Sequence, residues 1–170
     1  MVDPEHRVLA LRLHDESQLR LQFLRAASEA KPWPPELTIS VNLSAKQFYR
    51  EDLAQRITRI VRGEGFSVAI DDFGTGYSSL THLKHFPIDT LKIDISFIAD
   101  LETDPGDAAI TEAIIGLARG LGLKVVAEGV GTREQLEFLD VRGCHYFQGY
   151  WVSKPLPAQE FVDFVKKRPQ

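Results

Sequence analysis

The sequence predicts an α/β protein in which about five mostly parallel strands alternate with helices. Three observations carry this reading. Short β-rich runs alternate with segments of helical periodicity along the whole chain. No Pro/Ser/Gly-rich linker divides it, so the 170 residues read as one domain. Polar residues recur where the strands end, which is where parallel α/β proteins place their sites.

Each element has a local reason. Leu19, Phe23, Leu24 and Ala27 stand at helical spacing, and Pro32, Pro34 and Pro35 stop that helix. Residues 1–36 therefore read as an N-terminal helical segment, ahead of an α/β core over 37–168. Leu37–Leu43 (LTISVNL) reads as a strand. Phe48, Leu53, Ile57, Ile60 and Val61 make a helix that Gly63 and Gly65 close. Phe66–Ile70 is a strand running into Asp71-Asp72-Phe73-Gly74-Thr75-Gly76, with a short helix over Ser78–Lys84 behind it. Thr90–Ile93 is the next strand. Asp104 and Pro105 suit the N-cap and first position of a helix buried through Ile110, Ile114, Leu117 and Ala118, which Gly120 or Gly122 ends. Lys124–Ala127 is a strand. Thr132-Arg133-Glu134-Gln135 is a capping box for a helix carrying Leu136 and Leu139, ended by Gly143. Tyr146–Val152 is the last strand, and Pro157 opens a C-terminal helix with Phe161, Phe164 and Val165 inward.

Composition narrows the function. The chain is 44% apolar and 26% charged, which suits a globular core and argues against disorder. A net charge of −4 gives no electrostatic footprint for DNA binding. The single cysteine, Cys144, allows no internal disulfide. No run approaches the ~18 apolar residues of a membrane span, and the N-terminus lacks the pattern of a signal peptide. A cytoplasmic location is expected.

The polar residues at strand ends carry the chemistry. Asn42 ends the first core strand, Asp71 and Asp72 the second, Lys92 and Asp94 the third and Glu128 the fourth, while Gln148 lies in the fifth. Carboxylates with an amide are hard oxygen donors of the kind that hold Mg²⁺ or Mn²⁺. Adjacent acids at Asp71 and Asp72 repel unless a cation lies between them. A lysine beside them can orient water or stabilise a phosphate oxygen, and the set reads as metal-assisted phosphoester chemistry. Taken singly, each residue is ordinary: Asp-Asp-Phe-Gly is a turn sequence, Lys92 a surface lysine, Asn42 a cap. Asp-Phe-Gly without a Gly-rich loop or His-Arg-Asp is no kinase, and Gly74-x-Gly76 is no dinucleotide fingerprint. The five histidines show no ligand spacing. Tyr150 and Trp151 read as core or packing rim.

Five segments resemble a known family in its own order: Asn42-Leu43-Ser44, Asp71–Leu80 (DDFGTGYSSL), Leu91-Lys92-Ile93-Asp94, Ala127-Glu128-Gly129-Val130 and Gln148-Gly149-Tyr150. The chain resembles the EAL domains, which hydrolyse the bacterial messenger cyclic di-GMP to linear pGpG. The resemblance runs from about Leu37 to Phe164. It implies that Asn42, Asp71 and Glu128 are metal ligands and that Asp72 is a ligand to a second metal. It also implies that Lys92 positions the attacking water, that Gln148 lies near the ligand and Lys92, and that Phe73 begins a loop coupling the site to a dimer interface and contributes to ligand binding. Mg²⁺ or Mn²⁺ is the implied cofactor, with in-line attack of water on one phosphodiester. The fold it implies is a (β/α) barrel, here incomplete.

Departures from that pattern are specific. The Glu-Ala-Leu tripeptide is absent, and the expectation is that the chain starts after the strand that carries it in the family. Between Asn-Leu-Ser and Asp-Asp-Phe-Gly the family has a strand bearing Glu-x-Thr-Glu. Here only 45–69 separates them, and a further helix and strand would need roughly 15–20 more residues. Gly131 stands where members usually carry another glutamate. An intact barrel takes ~250 residues and rarely fewer than ~200. Loss of one electrostatic catalytic group typically costs ~10²–10³ in rate. The expectation is therefore a degenerate EAL protein, acting as a cyclic di-GMP receptor or interaction module with little phosphodiesterase activity. The alternatives are an active enzyme completed by a partner chain and a truncated product without function. Open strand edges favour a homodimer or a partner signalling domain.

Overall fold

The computed structural model describes residues 7–12, 37–44, 67–75, 83, 88–157, 160 and 163–164, the first two segments as backbone strands. The helices expected over 19–27 and 48–61, and most of those over 78–84 and beyond 157, lie outside the described residues.

Six parallel strands form one sheet in sequence order. They are β1 (Arg7–Arg12), β2 (Leu37–Ser44), β3 (Ser67–Phe73), β4 (Thr90–Ile93), β5 (Lys124–Glu128) and β6 (Tyr146–Gln148). Helix α1 (Ile95–Ala99) and helix α2 (Pro105–Leu121) lie between β4 and β5, and α3 (Arg133–Val141) between β5 and β6. In β3, Val68, Ala69 and Ile70 are consecutively buried, and so are Val125, Val126 and Ala127 in β5. Such continuous apolar runs mark strands covered on both faces.

Helix boundaries follow the capping chemistry. Asp104 Oδ1 accepts the Gly106 N–H at 2.7 Å with Pro105 at the first position, and Gly122 takes the left-handed C-cap (φ 69°). Thr132 and Gln135 form the reciprocal capping box of α3, and Gly143 follows that helix at φ 81°. The buried stripe of α2 is Thr111, Ile114, Ile115 and Ala118, which packs on β4 and β5. It is rotated from the expected stripe, because Ile110 is exposed and Leu117 only half-buried.

Three differences from the sequence reading matter. The N-terminal segment, expected to be helical, contains strand β1, paired with β2 from Arg7 opposite Leu37 to Arg12 opposite Asn42. Its Val-Leu-Ala-Leu run is too short to show helical periodicity and finds a parallel partner instead. Helix α1 was not anticipated, since five residues opening on a β-branched isoleucine give no periodic signal; Asp94 caps it by accepting the Ser96 N–H at 2.9 Å. Strand β6 stops at Gln148, and 149–152 turn, with the Val152 N–H donating to the Gly149 carbonyl at 3.0 Å. In agreement with the sequence reading, β2 pairs directly with β3, from Ser40 opposite Ser67 to Ser44 opposite Asp71. Among the described residues, no strand of the sheet lies between the one that carries Asn42 and the one that carries Asp71.

Candidate cation site at the ends of strands β3 to β5

Residues on adjacent positions of a regular strand point to opposite faces. Asp71 and Asp72 escape this rule. The β3–β4 register shifts between Ile70 and Phe73, and Asp72 has φ 53°. Aspartate is among the few residues that tolerate this left-handed conformation. The turn is closed by Thr75, whose hydroxyl donates to the Asp72 carbonyl at 2.9 Å. The bulge therefore brings both carboxylates to one place.

Lys92 arrives from β4. Its neighbours Leu91 and Ile93 are fully buried in the core, and Lys92 itself is only 2% exposed. A buried ammonium survives only when paired. Its Nζ donates to Asp71 Oδ1 at 2.6 Å and, in a second short contact, to Glu128 Oε1 at the end of β5. Asp71, Asp72 and Glu128 each offer an oxygen, all within 4.8 Å of one another. Burial pushes the Glu128 carboxyl above its ordinary value. The Lys92 charge and hydrogen bond pull the other way, while the Asp71 and Asp72 charges add to the rise.

Among the described residues, three carboxylates gather around one ammonium in a half-buried place. Oxygen-only donors at this spacing fit a hard divalent ion. Among the described residues this cluster can hold a metal; Asp71, Asp72 and Glu128 would be its protein ligands.

The other residues singled out by sequence fall as follows. Asn42 lies in β2 opposite Ala69, two positions before Ser44, the residue opposite Asp71. Gln148 is paired with Glu128 across β5 and β6 and is exposed. Phe73, which follows the bulge, is buried in the hydrophobic core. Asp94 caps α1 and takes no part in the cluster. Tyr150 and Trp151, expected in the core or its rim, are 70% and 48% exposed.

Two glycines that sequence reasoning did not single out brace the site. Gly129, at φ 77°, follows Glu128, and a Cβ there would overlap the Ile95 side chain of α1. A Cβ on Gly149 would overlap the backbone of Val130, whose N–H donates to the Gln148 carbonyl at 3.1 Å and whose carbonyl accepts from Trp151 at 3.0 Å. Only the glycines' place within longer motifs marked them in the sequence.

Comparison with known proteins gives a consistent picture. The EAL domain family model matches residues 6–155. The probable cyclic di-GMP phosphodiesterase PdeN of Escherichia coli is 40% identical over 129 residues, which cover 76% of this chain and 25% of PdeN. The chain thus spans about a quarter of that relative's length. The crystal structure of the EAL domain of Mycobacterium smegmatis DcpA superposes with a TM-score of 0.71 at 32% identity, covering 94% of this chain and 89% of that one. The manganese and cyclic di-GMP complex of Klebsiella pneumoniae BlrP1 at pH 9.0 gives 0.69 at 30% identity, covering 89% of this chain and 39% of that one.

Proposed function

The chain belongs to the EAL domain family, and on that premise we propose that it is a cyclic di-GMP receptor that hydrolyses its ligand slowly or not at all. Asp71, Asp72 and Glu128 would hold a divalent ion, Mg²⁺ or Mn²⁺, and Lys92 would meet the phosphodiester of the nucleotide. Such an ion neutralises phosphate charge and activates water. Lys92, already held at 2.6 Å from Asp71, supplies a fixed positive charge at the phosphate and orients water there. Asn42 stands on β2 opposite Ala69, and Gln148 on β6 opposite Glu128. The protein works in the cytoplasm, as a homodimer or beside a partner signalling domain.

The direct pairing of β2 with β3 carries the receptor reading. Among the described residues, it leaves no strand between the one carrying Asn42 and the one carrying Asp71 to supply a further carboxylate. A missing electrostatic group of this kind costs ~10²–10³ in turnover, while the remaining ligands still attract the cation. Calorimetric titration with cyclic di-GMP, with Ca²⁺ replacing Mg²⁺ to suppress turnover, tests this. A saturable isotherm that Asp71→Ala abolishes is expected; unchanged affinity in Asp71→Ala would remove the proposed site.

The Lys92 contacts to both Asp71 and Glu128 favour a second reading, an active phosphodiesterase completed by a partner chain. Robust Mn²⁺-dependent formation of pGpG, lost in Lys92→Ala, would establish it in place of the receptor.

A further inference from the structure

Lys92 and Glu128 come from different strands, and the segments that follow them must be held together for the ion triad to persist. The segment after Glu128 is Gly129-Val130-Gly131, with two glycines in three residues, so it has more conformational freedom to lose than an ordinary loop. The segment after Lys92 leads within three residues into α1.

One buried side chain joins them. Gln135, on the first turn of α3 and 5% exposed, accepts the Gly131 N–H at 2.8 Å and the Thr132 N–H at 3.2 Å through Oε1. Its Nε2 donates to the Ile98 carbonyl at 2.8 Å and the Ala99 carbonyl at 3.4 Å, the last turn of α1. Helix capping accounts for the Oε1 half of this amide. It does not account for the Nε2 half, which reaches 37 residues back along the chain. The ring of contacts closes through Ile95 against Gly129 and through Lys92 bonded to Glu128.

We infer that Gln135 is a positioning residue for the cation and nucleotide site. Its amide ties the loop after Glu128 to the helix after Lys92, and so sets the approach of Glu128 to Lys92 and Asp71. It touches neither cation nor nucleotide. The inference rests on the binding function proposed above for that cluster.

Gln135→Met keeps the length of the side chain and removes both halves of the amide. Groups that orient the residues around a metal typically account for 10–100-fold in affinity. In the folded Gln135→Met protein, calorimetry with Ca²⁺ and cyclic di-GMP is expected to give about 10-fold weaker binding. Leu139→Val, a core change on the same helix, lowers the melting temperature but leaves affinity within about twofold, since it breaks no link to the site. Gln135→Glu keeps the acceptor for Gly131 and Thr132 but turns a carboxylate toward the α1 carbonyls. It therefore loses affinity too, and serves if the Met variant does not fold. The NMR resonance of the Lys92 ammonium supplies a readout independent of nucleotide. It shifts in both Gln135 variants and stays in place in Leu139→Val. If the wild-type chain shows no isotherm, the proposed binding function fails, and the ammonium resonance alone decides the positioning role. An unmoved Lys92 resonance in a folded Gln135 variant overturns the inference, as does affinity equal to wild type.

Discussion

Lys92→Met removes the ammonium that, among the described residues, pairs with a cluster of three carboxylates, and keeps most of the side chain's length. At 2.6 Å and an effective dielectric of about 20, the Lys92–Asp71 attraction alone is about 6 kcal/mol before desolvation. Most of that offsets the burial of the two charges, so the informative quantity is the cost of leaving one side unpaired. Removing one partner of a buried pair costs about 3–5 kcal/mol. Here the stranded groups are Asp71 and Glu128, with side chains 7% and 18% exposed. Glu128 is already pushed upward by burial, and the Lys92 charge and hydrogen bond are what oppose that rise. Urea unfolding in EDTA should show a loss of about 3–5 kcal/mol, a large part of a typical domain's 5–15 kcal/mol. The same titration in Mn²⁺ separates electrostatics from packing. The variant's site carries one more unit of negative charge, so an ion at 100 times its dissociation constant returns about 2.7 kcal/mol. The deficit against wild type should therefore shrink in Mn²⁺. Equal deficits in EDTA and Mn²⁺ would mean that Lys92 contributes packing alone, and no deficit at all would mean that the triad does not exist in solution.

Other expectations test separate parts of the structure. Asp72→Asn keeps a residue that accepts φ 53° and removes a charge from the cluster. Stability in EDTA should change by less than about 0.5 kcal/mol or rise, while Mn²⁺ affinity measured by electron paramagnetic resonance falls. Gly149→Ala forces a methyl into the Val130 backbone. A thermal melt should show destabilisation of about 1–3 kcal/mol, and a wild-type melt would refute the close approach. His145 Nδ1 accepts the Val125 N–H at 3.2 Å, and burial, then Lys124 and Arg119, lower its pKa. A lowered histidine pKa contributes stability that is complete above the unfolded value, about 6.5, and is lost as pH falls through the folded value. Urea midpoints between pH 8 and 5 should fall for wild type and flatten in His145→Ala.

Much of the fold was readable because local chemistry and the global pattern agree. Asp104-Pro105, Gly122 and the Thr132–Gln135 box mark helix ends in the sequence, and the structure puts them there. The runs in β3 and β5 are apolar enough to be strands on sight. Failures occurred where an element has no local signal. Helix α1 is a single short turn fixed by Asp94 and by packing, and β1 is defined by its pairing with β2. The end of β6 is set by Gly149 lying on Val130, a contact between residues 19 apart. Site residues divide in the same way. Asp71, Asp72, Lys92 and Glu128 were visible because acids and a lysine at strand ends are unusual. The bulge that turns Asp71 and Asp72 to the same place, and the inward turn of Phe73 after it, depend on a register shift that no residue announces. Gln135 was visible only as a cap, since half of its hydrogen bonds reach a helix that sequence does not predict.

The β2–β3 pairing also bears on how a family member with these strands directly paired can keep a site. A parallel sheet that loses a strand can leave its edges open or close the gap by pairing the flanking strands. Open edges within a sheet leave backbone groups without partners, which costs about 1–3 kcal/mol for each one buried. This chain takes the second course over five residue pairs, from Ser40–Ser67 to Ser44–Asp71. Closure leaves the Lys92 contacts to Asp71 and Glu128 in place, since these residues sit on β3, β4 and β5. What the pairing fixes is the position of Asn42 on β2 relative to Asp71. Three carboxylates that could hold a cation therefore stay together. On the receptor reading proposed above, such a site would hold a charged phosphodiester rather than cleave it.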